Sequence, residues 1–239
     1  MTMELLLSLS TATPGLTLAV SRGENLLSEL LLAPAKTQGN LLFPAIDQVL
    51  AAAGVGLAEV DAFAVVHGPG AFTGLRVGVA AIKGLAQASG KPVVGVSALQ
   101  ALALQGGESD LPVCALLDAR KGEVYAGLFQ WQQGRPQRLQ PEQVAPPECV
   151  LAAIKGPVCF VGDGASVYRT LIVRQLGSQA CFVPWAFSPL RAASVAVLAL
   201  DVLRNGAESS PLLLEPVYIR LSEAEINRLK SAENGGIEG

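Results

Sequence analysis

"HGPGAFTGLRVGVAAIKGLAQ", residues 67–87, sets a glycine-proline-glycine turn between a strand-like run and a helix of small residues. The run before it, "AFAVVH" at 62–67, is continuously apolar, the pattern of a buried strand. Glycine turns in this position do one of two things. Their amides cradle an anion at the helix N-terminus, or their missing side chains let two stretches of backbone come close. The residues placed for either task are Gly68, Gly70, Thr73 and Arg76. Thr73 is a candidate helix cap. Arg76 reads as a phosphate contact, a cross-interface ion pair or an ordinary solvated charge. A second strand-to-glycine turn, "VGDGA" at 161–165, adds Gly162 and Gly164. Neither turn carries the Gly-Lys-Ser/Thr ending that brings a lysine to the phosphates of a P-loop, and neither matches G-x-G-x-x-G.

The helix after the turn, predicted over 72–88, adds a second clue. Gly74, Gly78, Ala81, Gly84 and Ala88 recur every three to four residues, so they fall toward one side. A glycine inside a helix costs about 1 kcal/mol relative to alanine, and three in one short helix call for a packing use. A small-residue face lets another backbone approach closely. Spacing leaves open whether that backbone belongs to the protein's own sheet or to a partner.

Working outward, residues 4–9, 15–20 and 25–32 alternate or run apolar between turns at Pro14-Gly15 and Arg22-Gly23, which predicts an antiparallel strand set. Leu41, Leu42, Ala45, Ile46, Val49, Leu50 and Ala53 lie at helical spacing over 40–53, with Gly54 as a C-cap. "PVVGVS" at 92–97 is another strand, and Ser97 is placed to cap the helix "ALQALALQ". After "GGESD" (106–110) the scheme repeats. "VCALLDA" and "EVYAGLFQW" make a hairpin, "QPEQVAPPECVLAAIK" a loop and helix, and "VCFVGDGA" a strand and turn. "SVYRTLIVRQ" follows as a helix, "ACFVP" as a strand and "RAASVAVLALDVLRNG" as a long apolar helix. The expectation is an α/β protein of two related lobes, 1–107 and 108–220, each a mixed sheet flanked by helices. Residues 221–239 are polar and glycine-ended, read as a disordered tail or a short exposed helix.

Composition narrows the chemistry. Apolar residues make up 51% of the 239, enough for one large or two smaller cores. They come in short runs, none near the roughly 18 unbroken residues of a membrane helix. The apolar start has no preceding Lys or Arg and carries Glu4, so it reads as a hairpin and not as a leader. The four cysteines form no CxxC pair and sit near apolar neighbours, the setting of buried free thiols. With a net charge of −3 and no basic block, the chain lacks the clustered cations that hold nucleic acid. His67 is the one histidine, which argues against zinc and iron sites built from several His or Cys ligands. It is read as a side chain satisfied at the strand edge. There is no G-x-S-x-G elbow for a serine triad and no polar context that would activate a cysteine. Phosphoryl transfer needs carboxylates for Mg²⁺. Ser8-Leu9-Ser10-Thr11-Ala12-Thr13 in the first hairpin holds none, while Asp118 ends the corresponding strand of the second half.

Taken together, these segments resemble one family. "GPGAFTGLRVG" (68–78) resembles the GPGSFTGLRIG signature of the TsaB family, also called YeaZ. "LLSLSTATPGLTLAV" is similar to its opening ILAIDTSTxxxSVAL, "DARKGEVYAGLF" (118–129) to its DARRGEVY segment, and "EPVYIR" (215–220) to its closing P-x-Y-L-R. The resemblance implies the actin-like ATPase fold, ribonuclease H-like, that hexokinase and actin share. It also implies a cytoplasmic, non-catalytic subunit for forming N6-threonylcarbamoyladenosine at position 37 of tRNAs that read codons beginning with adenine. The implied partners are the catalytic subunit TsaD, whose metal-binding histidines the family lacks, and the ATPase TsaE. A homodimer in isolation is implied, with tRNA contacted only through the complex. No intrinsic cofactor is implied, and ATP or ADP belongs at the complex interface. The implied contact is a helix bundle of N-terminal lobes, here drawn from Leu41, Leu42, Ala45, Val49, Gly74, Gly78, Ala81 and Gly84. Two departures stand out: Ser10 replaces the family's first-strand acid, and Gln38-Gly39-Asn40 replaces its His-Ser-Glu. The rival expectation is an autonomous nucleotide-binding hydrolase or kinase of the same fold.

Overall fold

The computed structural model describes residues 4–32, 38–206 and 210–220; the expected tail lies outside the described residues. In chain order the first half runs β1 (Leu5–Ser10), β2 (Leu16–Arg22), β3 (Asn25–Leu32), α1 (Gln38–Ala53), β4 (Ala62–Gly68), α2 (Phe72–Ser89), β5 (Val93–Ser97) and α3 (Ala98–Gln105). Short turns keep β1, β2 and β3 antiparallel, while the helical crossovers lay β4 and β5 parallel to β1. The sheet order is β3-β2-β1-β4-β5.

The second half runs β6 (Val113–Arg120), β7 (Glu123–Gln132), β8 (Arg135–Arg138), β9 (Gln143–Ala145), α4 (Pro147–Ala152), β10 (Val158–Val161), α5 (Asp163–Val167), α6 (Arg169–Leu176), β11 (Ala180–Phe182) and α7 (Ala192–Arg204). Its sheet order is β11-β10-β6-β7-β8, with β9 paired to the far part of β7. Three details differ from the pattern read in the sequence. The polar, Pro-containing segments 135–138 and 143–145 pair as strands, because β7 has ten residues and offers both of them an edge. The helix expected over "SVYRTLIVRQ" is two helices, α5 starting at Asp163 and α6 at Arg169, broken at Tyr168. Of the four free cysteines only Cys114 is buried; Cys159 is half-buried, and Cys149 and Cys181 are exposed. Apolar neighbours in sequence do not fix burial on a short edge strand, as at Cys181, or on a helix of six residues, where Glu148 precedes Cys149.

The elements stack in five layers. Strand alternation sends Leu5, Leu7 and Leu9 of β1 toward α1 and α2, and Leu6 the opposite way, toward α3 and α7. Helices α4, α5 and α6 cover the far face of the second sheet around Phe160 and Ile172. The middle layer crosses the boundary that the repeat suggests. Helix α3, from the first half, lies on β6, β7 and β8, while α7, from the second half, lies on β1, β2 and β5. The start of α7 is anchored by the first sheet and not by a local cap. Ala192 N–H donates to Thr17 Oγ1 (3.0 Å), Ala193 N–H donates to Glu29 Oε1 (3.0 Å), and Arg191 pairs with Glu29. Among the described residues no helix is long and apolar enough to cross a membrane.

Candidate functional site

The glycine-proline-glycine turn sits where β4 ends, and its neighbours are the protein's own backbone. Val217 N–H donates to the His67 carbonyl (2.7 Å), so the C-terminal segment continues the hydrogen bonding of β4. The Val217 carbonyl occupies the space a Cβ of Gly68 would take, and Gly68 has φ +152°. A Cβ on Gly70 would lie 2.5 Å from the Ala12 carbonyl, which accepts from Ala71 N–H at 2.7 Å. At the second turn Gly162, at φ +103°, presses on the Leu116 carbonyl, and a Cβ on Gly164 would come within 2.9 Å of the β6 backbone. The glycines of both turns therefore serve close approach of chain to chain. Helix α2 is capped by Ala71, with no side-chain cap bond, and Thr73 lies in its first turn, exposed. That overturns Thr73 as the cap. The Thr that binds this helix is Thr11, whose buried hydroxyl donates to Gly74 O at 2.7 Å.

Arg76 is not an ordinary solvated charge. Its guanidinium carbon lies 3.9 Å from the Phe72 ring centroid, and its Nε donates to Tyr218 Oη at 2.9 Å. Phe72 and Tyr218 themselves stack at 4.7 Å between centroids. This clamp forms one wall of a cleft of about 570 Å³ between the two sheets. The first hairpin turn (Ala12, Thr13), the turn at Pro69 and Gly70, the second hairpin turn (Asp118–Lys121), Asp163 and residues 217–220 line the rest. Its charges are engaged internally. Arg120 pairs with Asp118 at 3.1 Å. Arg220 pairs with Glu123 at 2.9 Å and donates to Ala119 O at 2.9 Å. Asp163 accepts from Asp118 N–H at 3.0 Å, and burial raises its carboxyl above the usual 3.8.

A nucleotide in this cleft would need groups for its phosphates and Mg²⁺, and the residues present fit one poorly. Ser10, at the place of the first-strand acid, is fully buried and accepts from Ala12 N–H at 3.2 Å. The Val217 carbonyl fills the space over Gly68. His67 has its ring packed against Gly95, and burial lowers its pKa. Its carbonyl is bonded to Val217. Among the described residues no three His, Cys, Asp or Glu side chains converge as a metal site.

The proposed contact residues divide sharply. Leu42, Ala45 and Val49 are buried in the core beneath α1, which withdraws them from any partner surface. Gly74 and Gly78 are buried too, and the Cβ that Gly78 lacks would overlap Thr11 Oγ1. Ala81 is half-buried, whereas Leu41 and Gly84 are exposed, with nothing within 4 Å of a Cβ at Gly84. The correction has a simple cause. At about 100° per residue, ten positions from 74 to 84 rotate about 80° around the helix, enough to separate an inward glycine from an outward one. The outward small stripe is Ala80, Gly84 and Ala88. Phe43, 54% exposed on α1, is a further outward apolar residue, and periodicity does not mark it because it lies off the apolar face next to Pro44. Tyr218 and Arg220 were likewise missed as site residues, because nothing in a polar-apolar hexapeptide says where it docks.

Comparison with known proteins agrees with this architecture. The profile of TsaD, tRNA N6-adenosine threonylcarbamoyltransferase, matches residues 35–228. The tRNA threonylcarbamoyladenosine biosynthesis protein TsaB of Haemophilus influenzae is 33% identical over 90% of this chain and 93% of its own length. The crystal structure of YeaZ from Pseudomonas aeruginosa superposes with TM-score 0.76 at 32% identity, covering 90% of this chain and all of that one. Component A of (R)-2-hydroxyglutaryl-CoA dehydratase from Acidaminococcus fermentans, 11% identical over 83% of this chain and 98% of its own, shares the fold at TM-score 0.52. The fold is the actin-like ATPase fold, and with its signature turn, its two mixed sheets and its near full-length matches, the chain belongs to the TsaB (YeaZ) family.

Proposed function

We propose that this chain is an accessory, non-catalytic subunit in the formation of N6-threonylcarbamoyladenosine on tRNA. It binds and supports a TsaD-type catalytic subunit together with a TsaE-type ATPase, and meets tRNA only through that complex in the cytoplasm. The observation that carries the reading is the outward stripe Ala80, Gly84 and Ala88 of α2, on the same outer face of the first sheet as exposed Leu41 and Phe43 of α1. A stripe without side chains, beside apolar ones, suits the close packing of a second helix pair. The same surface joins two copies of this chain when no partner is present. Nucleotide, in this reading, is held at the complex interface and not by the turns at Gly68 and Gly162, which the protein's own carbonyls fill.

The test is Gly84→Leu, assayed by co-migration with the TsaD-type subunit in size-exclusion chromatography. The variant stays folded, because nothing lies within 4 Å of the new Cβ, and association drops at least tenfold. Unchanged association by both Gly84→Leu and Phe43→Asp overturns the assignment. The rival, an autonomous nucleotide hydrolase, draws on Asp118 and Asp163 in the 570 Å³ cleft. Titration calorimetry of the isolated chain with ATP and Mg²⁺ decides between them: micromolar binding with turnover favours the rival, and no turnover without partners favours the subunit.

A further inference from the structure

Strands β10 and β11 are parallel and in register: Val158 faces Ala180, Cys159 faces Cys181, and Phe160 faces Phe182. The register is visible in the side chains, since the Phe160 and Phe182 rings lie 5.6 Å apart between centroids on one face of the sheet. Alternation puts Cys159 and Cys181 side by side on the other face. Both thiols are free; Cys159 is half-buried and Cys181 exposed. Neighbouring in-register residues of a sheet have Cα atoms about 4.8 Å apart, inside the roughly 4.4–6.8 Å span that a disulfide bridges. Their Cβ atoms start near the same spacing, a little beyond the roughly 3.5–4.5 Å of a relaxed bond. Strand β11 has three residues and a free edge, so it can close that gap by a small inward shift.

We propose that Cys159 and Cys181 form a reversible redox site, a dithiol that a low-molecular-weight disulfide oxidises to a cross-strand bond stapling β11 to β10. The Cys181 thiolate attacks one sulfur of oxidised glutathione, forming a mixed disulfide and releasing one glutathione thiolate. The Cys159 thiolate then attacks the Cys181 sulfur, forming the protein disulfide and releasing the second. The two protein thiols lose two protons and two electrons, and the glutathione disulfide gains them as two thiols. Access sets the order, because the exposed thiol is reached first and the half-buried one resolves it. Burial, with Cys181 beside it, raises the pKa of the Cys159 thiol, which makes it a slow first attacker; its in-register place beside Cys181 is what lets it reach the mixed disulfide. A bond drawn from parallel neighbours is strained, and strained, exposed disulfides are the readily reduced ones.

The experiment treats the full chain, as Cys149→Ser to remove the other exposed thiol, with oxidised glutathione, followed by tryptic peptide mass spectrometry without reduction. The expected product links peptide 156–169 to peptide 175–191 within one chain, consumes two thiols and reverts with dithiothreitol. Cys114, buried with its thiol pushed up to about 12, stays reduced. Cys159→Ser stops the reaction at the glutathione adduct on Cys181. A stable adduct on Cys181 with Cys159 free in the Cys149→Ser chain, a disulfide between two chains, or no reaction at either sulfur overturns the proposal.

Discussion

Gly78→Ala and Gly84→Ala make the same chemical change on one helix and are expected to move stability in opposite directions. At Gly78 the added Cβ overlaps Thr11 Oγ1 and comes within 3.2 Å of Leu9 Cδ1. Thr11 cannot turn away without leaving Gly74 O, to which its buried hydroxyl donates at 2.7 Å. Losing that bond in a buried site costs about 1–3 kcal/mol, and overpacking costs about 1–3 kcal/mol more. The better helix propensity of alanine returns about 1 kcal/mol, leaving a net loss of about 3 kcal/mol. At Gly84 nothing lies within 4 Å of the new atom and the site is exposed, so the propensity gain of about 1 kcal/mol stands alone. For a chain of this size 1 kcal/mol moves the melting temperature by about 2–4 °C. Gly78→Ala should therefore melt about 6–12 °C lower and Gly84→Ala about 2–4 °C higher, followed by circular dichroism at the helix band. A neutral Gly78→Ala, or a destabilising Gly84→Ala, would refute the assignment of inward and outward faces on which the proposed partner surface rests.

Two further outcomes follow from the cleft. Asp163→Asn keeps an acceptor for Asp118 N–H and removes a carboxylate whose folded pKa burial raises above 3.8. Because a raised acid pKa favours folding when protonated and opposes it when ionised, the variant should be more stable than the parent at pH 7. The gain should shrink as the pH falls and vanish below 3.8, read as urea midpoints across pH. Arg220→Met removes the ion pair to Glu123 and the bond to Ala119 O. It should speed amide exchange at Val217, whose N–H is bonded to His67 O, while the strand amides of β1 stay protected; unchanged exchange at Val217 would show that Arg220 does not hold this segment down.

Much of the architecture is legible in the sequence because it is periodic. Alternating leucines in β1, continuous apolar runs in β4 and β10, and glycines at turns announce their elements locally. What escapes is whatever depends on a distant partner. Strands β8 and β9 are polar and are strands only because β7 offers an edge. The small residues of α2 announce close packing but not its direction, since Gly78 meets Thr11, just past the end of β1 and 67 positions earlier in the chain. The aromatic clamp on Arg76 needs Tyr218, 142 residues away. The candidate site was thus half readable: its turns were visible, and the carbonyls that fill them were not.

The exchanged middle helices have a consequence for how the chain is made. When residues 1–107 have left the ribosome, the first sheet has its outer helices but not α7, which covers Leu6, Ala64 and Val66 from the other side. That apolar face stays open until residues 192–204 emerge, more than a third of the 239-residue chain later, and Thr17 and Glu29 wait as long for the amides they bind. Domains usually complete themselves in order during synthesis. Here neither half can, so a truncated or split chain should behave as sticky, incompletely packed halves, and the two lobes should become native together.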